Sequence, residues 1–259
     1  MTDLPGFTKR SFTHDGKTRP VYWRGSGPGV VVMHEIPGIT PQVIWFAEQV
    51  SDAGFSVVMP QMFGEPGKAI STGYILKEAA RACISHEFSV LAAHKSSPIT
   101  DWLRALCRSV HTELGGRGVG AIGMCLTGNF ALSLMMEPCL MAPVLSQPSL
   151  PFPLGKARSA GLHVSPQELA NLKRRVAQGD KVLGLRFSRD PACPRARFDT
   201  LKRELGDGFE DIEIDSKFGN PDGNPTAHSV VTTDLVDEAG HPTRVALDRV
   251  ISFFNERLK

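Results

Sequence analysis

Cys125 sits where a strand-to-helix turn would present a nucleophile. Val119–Met124 is an apolar run that reads as a buried strand, and residues 129–136 read as a helix. Between them lies Gly123-Met124-Cys125-Leu126-Thr127-Gly128. Small residues on both sides let such a turn tighten and lift the central side chain above the sheet edge. The N–H of Leu126 is then left at a helix N-terminus, where it can bind an oxyanion. The usual elbow is Gly-x-Ser-x-Gly. Here Cys replaces Ser, Thr127 occupies the place of the last glycine, and Gly128 comes one step late. The same stretch also fits an inert buried cysteine at an ordinary α/β turn.

Three other reactive side chains share this strand-end placement, as the order of elements shows. A hairpin signal, Asp15-Gly16-Lys17, separates residues 7–14 from 20–23. Val30-Val31-Val32-Met33 reads as a central parallel strand and ends in His34-Glu35-Ile36-Pro37-Gly38. A helix follows with Val43, Phe46, Ala47 and Val50 on one face, then a strand over 55–59. Residues 60–67 read as a loop and 75–93 as helix-compatible, broken by Ser96-Ser97-Pro98. The spacing of Leu103, Leu106, Cys107, Val110 and Leu114 predicts a helix over 101–114 with Cys107 in the core.

Beyond the Cys125 turn come a strand over 141–145 and a Pro-rich connection over 147–161. Ser165-Pro166-Gln167-Glu168 is a capping box that starts a helix running to residue 178. A strand over 181–187 leads into Ser188-Arg189-Asp190-Pro191; a helix over 195–205 and a strand over 209–214 follow. The loop 215–240 holds His228, and a helix over 243–258 closes the chain. Strands alternating with helices imply an α/β fold: one domain, 1–259, with a mostly parallel central sheet, helices on both faces and an N-terminal antiparallel hairpin. In such a sheet chemistry gathers at the carboxyl ends of the strands. Glu35, Cys125 and Asp190 each follow directly on a strand, and His228 follows the last one. Asp190 also suits a cap for the helix after it. Glu35 also suits a solvated loop, since charged residues are mostly exposed.

The whole chain narrows the choices. A hydrophobic content of 41% and a charged content of 22% describe an ordinary globular protein. The net charge is +2, and Lys173-Arg174-Arg175 is the densest basic run, so nucleic acid is not an expected partner. No stretch approaches the roughly 20 apolar residues of a membrane span. The first ten residues carry no apolar core of a secretory signal. Five cysteines without a Cys-x-x-Cys pair argue against a disulfide framework or a zinc site. The expectation is a cytoplasmic protein, monomeric or a small homo-oligomer, with no metal and no cofactor.

The residues following the third strand, the Cys125 turn, Asp190 in Ser-Arg-Asp-Pro and His228 in Ala227-His228-Ser229 together resemble the dienelactone hydrolase family of α/β-hydrolases. The order nucleophile, acid, histidine is the order of that fold. The resemblance runs from about residue 20 to the end of the chain. It implies the α/β-hydrolase fold and a Cys125–His228–Asp190 triad cleaving an ester or lactone through a thioester, a carboxylic ester hydrolase chemistry. The imidazole would take the thiol proton and Asp190 would hold its tautomer. The N–H groups of Leu126 and Ile36 would bind the oxyanion. Glu35 would contact the resting thiol and help ionise it.

Two departures stand out. Well-known members carry an Arg four residues past the histidine to hold a substrate carboxylate, and here that position is Thr232. Arg81 and His86, in the region that shapes the pocket, are the candidate substrate-binding replacements. Thr127 departs from glycine at the elbow. Other readings of the same residues are a thioesterase or acyltransferase, a redox protein with an elbow cysteine, and a non-catalytic interaction protein.

Overall fold

The computed structural model describes residues 3–84, 98–149, 159–162 and 164–259. The chain enters through a hairpin, β1 (Thr8–His14) and β2 (Lys17–Arg24). Asp15 and Gly16 both take positive φ, 47° and 71°, the turn geometry whose twist suits paired antiparallel strands. Then come β3 (Gly29–Met33), α1 (Pro41–Asp52), β4 (Ser56–Pro60) and α2 (Thr72–Ile84). After α3 (Pro98–Leu114) and β5 (Val119–Met124), a 3₁₀ turn over Cys125–Asn129 leads into the short α4 (Phe130–Leu134). The remaining elements are β6 (Leu140–Ser146), α5 (Pro166–Ala177), β7 (Val182–Phe187), α6 (Arg195–Leu205), β8 (Phe209–Ile214) and α7 (Pro242–Leu258).

The eight strands form one sheet in the order β1-β2-β4-β3-β5-β6-β7-β8. β1 and β2, and β2 and β4, pair antiparallel; the rest pair parallel. β3, β4, β5 and β7 are buried along their whole length, as their predominantly apolar runs require of strands covered on both faces. Trp102, Leu106, Phe130 and Phe198 pack on one face, and Phe46, Val50, Leu247 and Phe254 on the other. Cys107 lies in the first of these layers.

Some boundaries differ from the sequence reading. α3 begins at Pro98, three residues before the expected 101, because the missing N–H of proline has no intrahelical partner at a first turn in any case. The helix expected over 129–136 is regular only to Leu134. Met135 and Met136 close instead with i→i−3 bonds to Leu132 and Ser133, the tightening common at helix ends. The part of the 75–93 helix beyond Ile84 lies outside the described residues.

The chain leaves β3 toward β4 and later crosses to β5 on the other side. That reversal opens a crevice at the carboxyl ends of β3 and β5. His34-Glu35-Ile36 follows the one strand and Cys125 follows the other.

Candidate active site

Cys125 takes a φ of 56°, a left-handed conformation that costs a non-glycine residue energy and is typical of nucleophile elbows. Its neighbours explain how the turn holds. A Cβ on Gly123 would come 2.2 Å from the carbonyl oxygen of Thr127, so only glycine fits there. Thr127 is accommodated through its hydroxyl, which donates to Met33 O at 2.8 Å and accepts from Met124 N at 2.9 Å. The departure from glycine at that position therefore ties the elbow to the end of β3.

On the far side, Asp190 closes β7 with its side chain buried. Its Oδ1 accepts from Ala192 N at 2.9 Å, and its Oδ2 lies 2.6 Å from Nδ1 of His228. Asp190 thus turns its own loop while it holds the imidazole. The α6 helix has Pro194 as its cap, so Asp190 does not cap it. The sulfur of Cys125 lies near enough to act on the charge of the imidazole. Burial acts against a charged imidazole, but the sulfur of Cys125 and the carboxylate of Asp190 outweigh it and hold His228 well above its ordinary 6.5. The structure therefore gathers Cys125, His228 and Asp190 at one end of the sheet, with the Asp190–His228 hydrogen bond fixed at 2.6 Å.

Glu35 is 3% exposed, not solvated. Its Oε2 accepts from Ser229 Oγ at 2.8 Å and Gln147 Nε2 at 3.1 Å, and its Oε1 accepts from Thr232 Oγ1. Burial raises its pKa; the hydrogen bond from Thr232 and the nearby His228 oppose that rise. Among the described residues the carboxylate makes no hydrogen bond to the thiol; these three donors are its partners. Thr232, which stands where the resemblance has arginine, is buried and turned toward Glu35.

The N–H groups of Ile36 and Leu126 have no hydrogen-bond acceptor among the described residues. Arg81 lies on α2 with a side chain 66% exposed, paired to Glu78 at 3.1 Å. No contact joins it to Cys125 or His228 among the described residues. His86 lies outside the described residues. His34 is buried, and its Nδ1 meets Glu35 O at 3.0 Å while Met62 N meets its Nε2 at 3.1 Å. An amide can only donate and a carbonyl only accept, so His34 is the neutral Nδ1–H tautomer. Burial lowers its pKa to about 4. His241 caps α7.

Several supporting residues escaped the sequence reading. Asp234 is fully buried and accepts from the backbone N–H groups of His228 and Ser229, both at 2.7 Å, and from Asn224. Gln147, at the end of β6 with φ 34°, joins Glu35 to the backbone of Val230. Ser149 donates to Cys125 Sγ at 3.1 Å. Gln147 and Ser149 carried a usable signal: polar residues directly after a parallel strand, the same sign that singled out Glu35 and Asp190. The prolines around them hid it. Nothing in the spacing of Asp234 from His228 announces its role.

Among the described residues no group of three or more His, Cys, Asp and Glu could hold a metal ion, and no helix is long and apolar enough to cross a membrane.

The dienelactone hydrolase family model matches residues 18–161, more than half of the 259 residues, and the chain belongs to that family of hydrolases. The matched span takes in Glu35 and Cys125 and ends before Asp190 and His228. No curated protein matches the chain. Similar solved structures span nearly its whole length. A candidate dienelactone hydrolase from Klebsiella pneumoniae is 17% identical, with a TM-score of 0.64 over 96% of this chain and 98% of its own. A dienelactone hydrolase-like promiscuous phosphotriesterase from metagenomic libraries is 18% identical, with a TM-score of 0.59 over 98% of each chain. A cold-adapted esterase from an Arctic intertidal metagenomic library is 14% identical, with a TM-score of 0.59 over 100% of this chain and 97% of its own. These likenesses establish the α/β-hydrolase fold.

Proposed function

We propose that this protein hydrolyses a small ester or lactone through Cys125, His228 and Asp190, with a thioester intermediate. The observation that carries the reading is the His228 imidazole, fixed by Asp190 on Nδ1 at 2.6 Å and raised in pKa by the nearby sulfur of Cys125. A free thiol is only a few per cent ionised at neutral pH, and a base at this position raises that fraction.

The steps follow from the geometry. His228 takes the thiol proton; the thiolate so formed attacks the carbonyl carbon, and the carbonyl electron pair moves onto oxygen. The Ile36 and Leu126 N–H groups stabilise that oxyanion; losing one such donor costs on the order of 10²–10³ in rate. The tetrahedral adduct collapses, the alcohol oxygen leaves, and His228 returns the proton to it. Water then gives a proton to His228, attacks the thioester, and the sulfur leaves as thiolate. Asp190 keeps the imidazole in one tautomer and supports its cation throughout. Glu35 does not hydrogen-bond the resting thiol. Its place in the reaction is beside His228, within the Ser229, Thr232 and Gln147 cage.

The test is hydrolysis of p-nitrophenyl acetate, a simple lactone and a dienelactone by wild type and Cys125→Ala. Turnover that collapses in the variant supports the reading, and the three substrates rank the chemistry. Turnover that survives the substitution removes Cys125 from the mechanism.

A further inference from the structure

We propose that Ser149 is a second catalytic partner of the sulfur: it donates a hydrogen bond that holds the Cys125 thiolate before attack and receives it again when the thioester breaks. This rests on Cys125 being the nucleophile, and it assigns a group outside the triad to the same reacting atom.

Ser149 Oγ lies 3.1 Å from Cys125 Sγ. With a neutral thiol such a contact can run in either direction. With a thiolate only the hydroxyl has a proton to give, so the contact favours the ionised sulfur. The hydroxyl is not a passing surface group, since Ser149 is 2% exposed and pinned on both sides of its backbone. Its N–H donates to Cys125 O at 3.0 Å, and its carbonyl accepts from Asn129 Nδ2 at 2.8 Å. The same Asn129 Nδ2 reaches Leu126 O at 3.0 Å. Arg197, buried behind them, donates to Pro148 O at 2.7 Å and Asn129 Oδ1 at 3.1 Å. A Cβ on Gly128 would come 2.8 Å from Pro148 Cα, so glycine lets this segment press against the elbow. Such bracing holds the donor at the sulfur without reorganisation during the reaction, the condition under which a hydrogen bond contributes most to catalysis.

The bond tracks the charge on sulfur. When C–S forms, sulfur is neutral and the Ser149 bond weakens. When water has added and the C–S bond breaks, its electron pair returns to sulfur, Ser149 again donates to it, and the carbonyl re-forms as the acid product. Ser149 therefore acts on the ionisation of the nucleophile and on its departure, while proton transfer stays with His228.

The experiment is the pH dependence of iodoacetamide alkylation of Cys125 in the full chain, with Cys125→Ala subtracted for the other thiols. Ser149→Ala is expected to alkylate about tenfold more slowly at pH 6, the effect of one hydrogen bond to a charged group, and at nearly the wild-type rate at pH 10. Ser149→Thr, which keeps the hydroxyl, retains the wild-type profile. With p-nitrophenyl acetate, Ser149→Ala accumulates more acyl-enzyme than wild type. A folded Ser149→Ala with a superimposable profile, or a Ser149→Thr that shifts as the alanine does, overturns the proposal. If Ser149→Ala does not fold, Ser149→Gly carries the test: the same slowing at pH 6 is expected, and a profile superimposable on wild type overturns the proposal. These outcomes read the thiol directly, so they stand apart from the ester assay that decides whether Cys125 is the nucleophile at all.

Discussion

Nδ1 of His228 and Oδ2 of Asp190 lie 2.6 Å apart, and through that contact the loop after β8 is fastened to the end of β7. The remaining oxygen of Asp190 is taken by Ala192 N. Both oxygens of the carboxylate are therefore fixed, and the imidazole inherits one orientation and one tautomer.

Asp190→Asn separates that electrostatic task from the packing. An asparagine of nearly the same volume can still accept from Ala192 N. Its amide group then faces Nδ1 of His228 as a donor and forces the imidazole into the opposite tautomer, with its N–H toward the thiol. Hydrolysis of p-nitrophenyl acetate is expected to drop on the order of 10³–10⁴-fold in kcat, with the melting temperature little changed. Activity within threefold of wild type would detach Asp190 from the reaction.

Asp234 holds the same loop from below. One carboxylate accepts the N–H groups of both His228 and Ser229 and two donors of Asn224. Asp234→Asn replaces a charged acceptor by an amide that can accept at one end only. Urea unfolding is expected to show a loss of about 2–3 kcal/mol. The rate of ester hydrolysis falls with it, since the His228 backbone is no longer clamped. A variant with unaltered urea midpoint would show that the loop is held by other contacts.

The polar strand ends were readable because a parallel sheet announces itself. Val30–Met33 and Val119–Met124 are apolar without interruption, so the first polar residue after each marks the sheet edge. That placed Glu35 and Cys125, and the same logic placed Asp190. What the sequence hid was where each side chain turns. Glu35 follows its strand as expected, yet it turns into a cage made by Ser229 and Thr232, nearly two hundred residues later in the chain, and by Gln147. Ser229 and Thr232 face it because the last loop folds back toward the end of β3, a long-range event with no local signal. Arg81 shows the opposite case. A cation in a variable region suggests a substrate anchor, but the i, i+3 spacing to Glu78 on one helix face already supplies a nearer partner.

His34 gives the fold a pH dependence of its own. The imidazole is fully buried and neutral, with its pKa lowered by burial from 6.5 to about 4. In the unfolded chain it takes a proton below pH 6.5, while in the folded chain it does so only near pH 4. Across that window the unfolded state binds more protons, so stability is complete above pH 6.5 and is lost as the pH falls toward 4. A difference of about 2.5 pH units at 1.36 kcal/mol each amounts to about 3 kcal/mol. His34→Gln keeps an acceptor for Met62 N and a donor for Glu35 O but cannot titrate. Between pH 7 and pH 4 the variant should therefore gain about 3 kcal/mol on the wild type in urea unfolding. Parallel curves for the two proteins over that range would mean that His34 is not the group responsible. The site is coupled to this titration, because the carbonyl that His34 holds belongs to Glu35 and the next N–H is that of Ile36. Protonation at His34 places a proton on Nε2, which then opposes the N–H of Met62 and strains the strand end at Glu35 and Ile36.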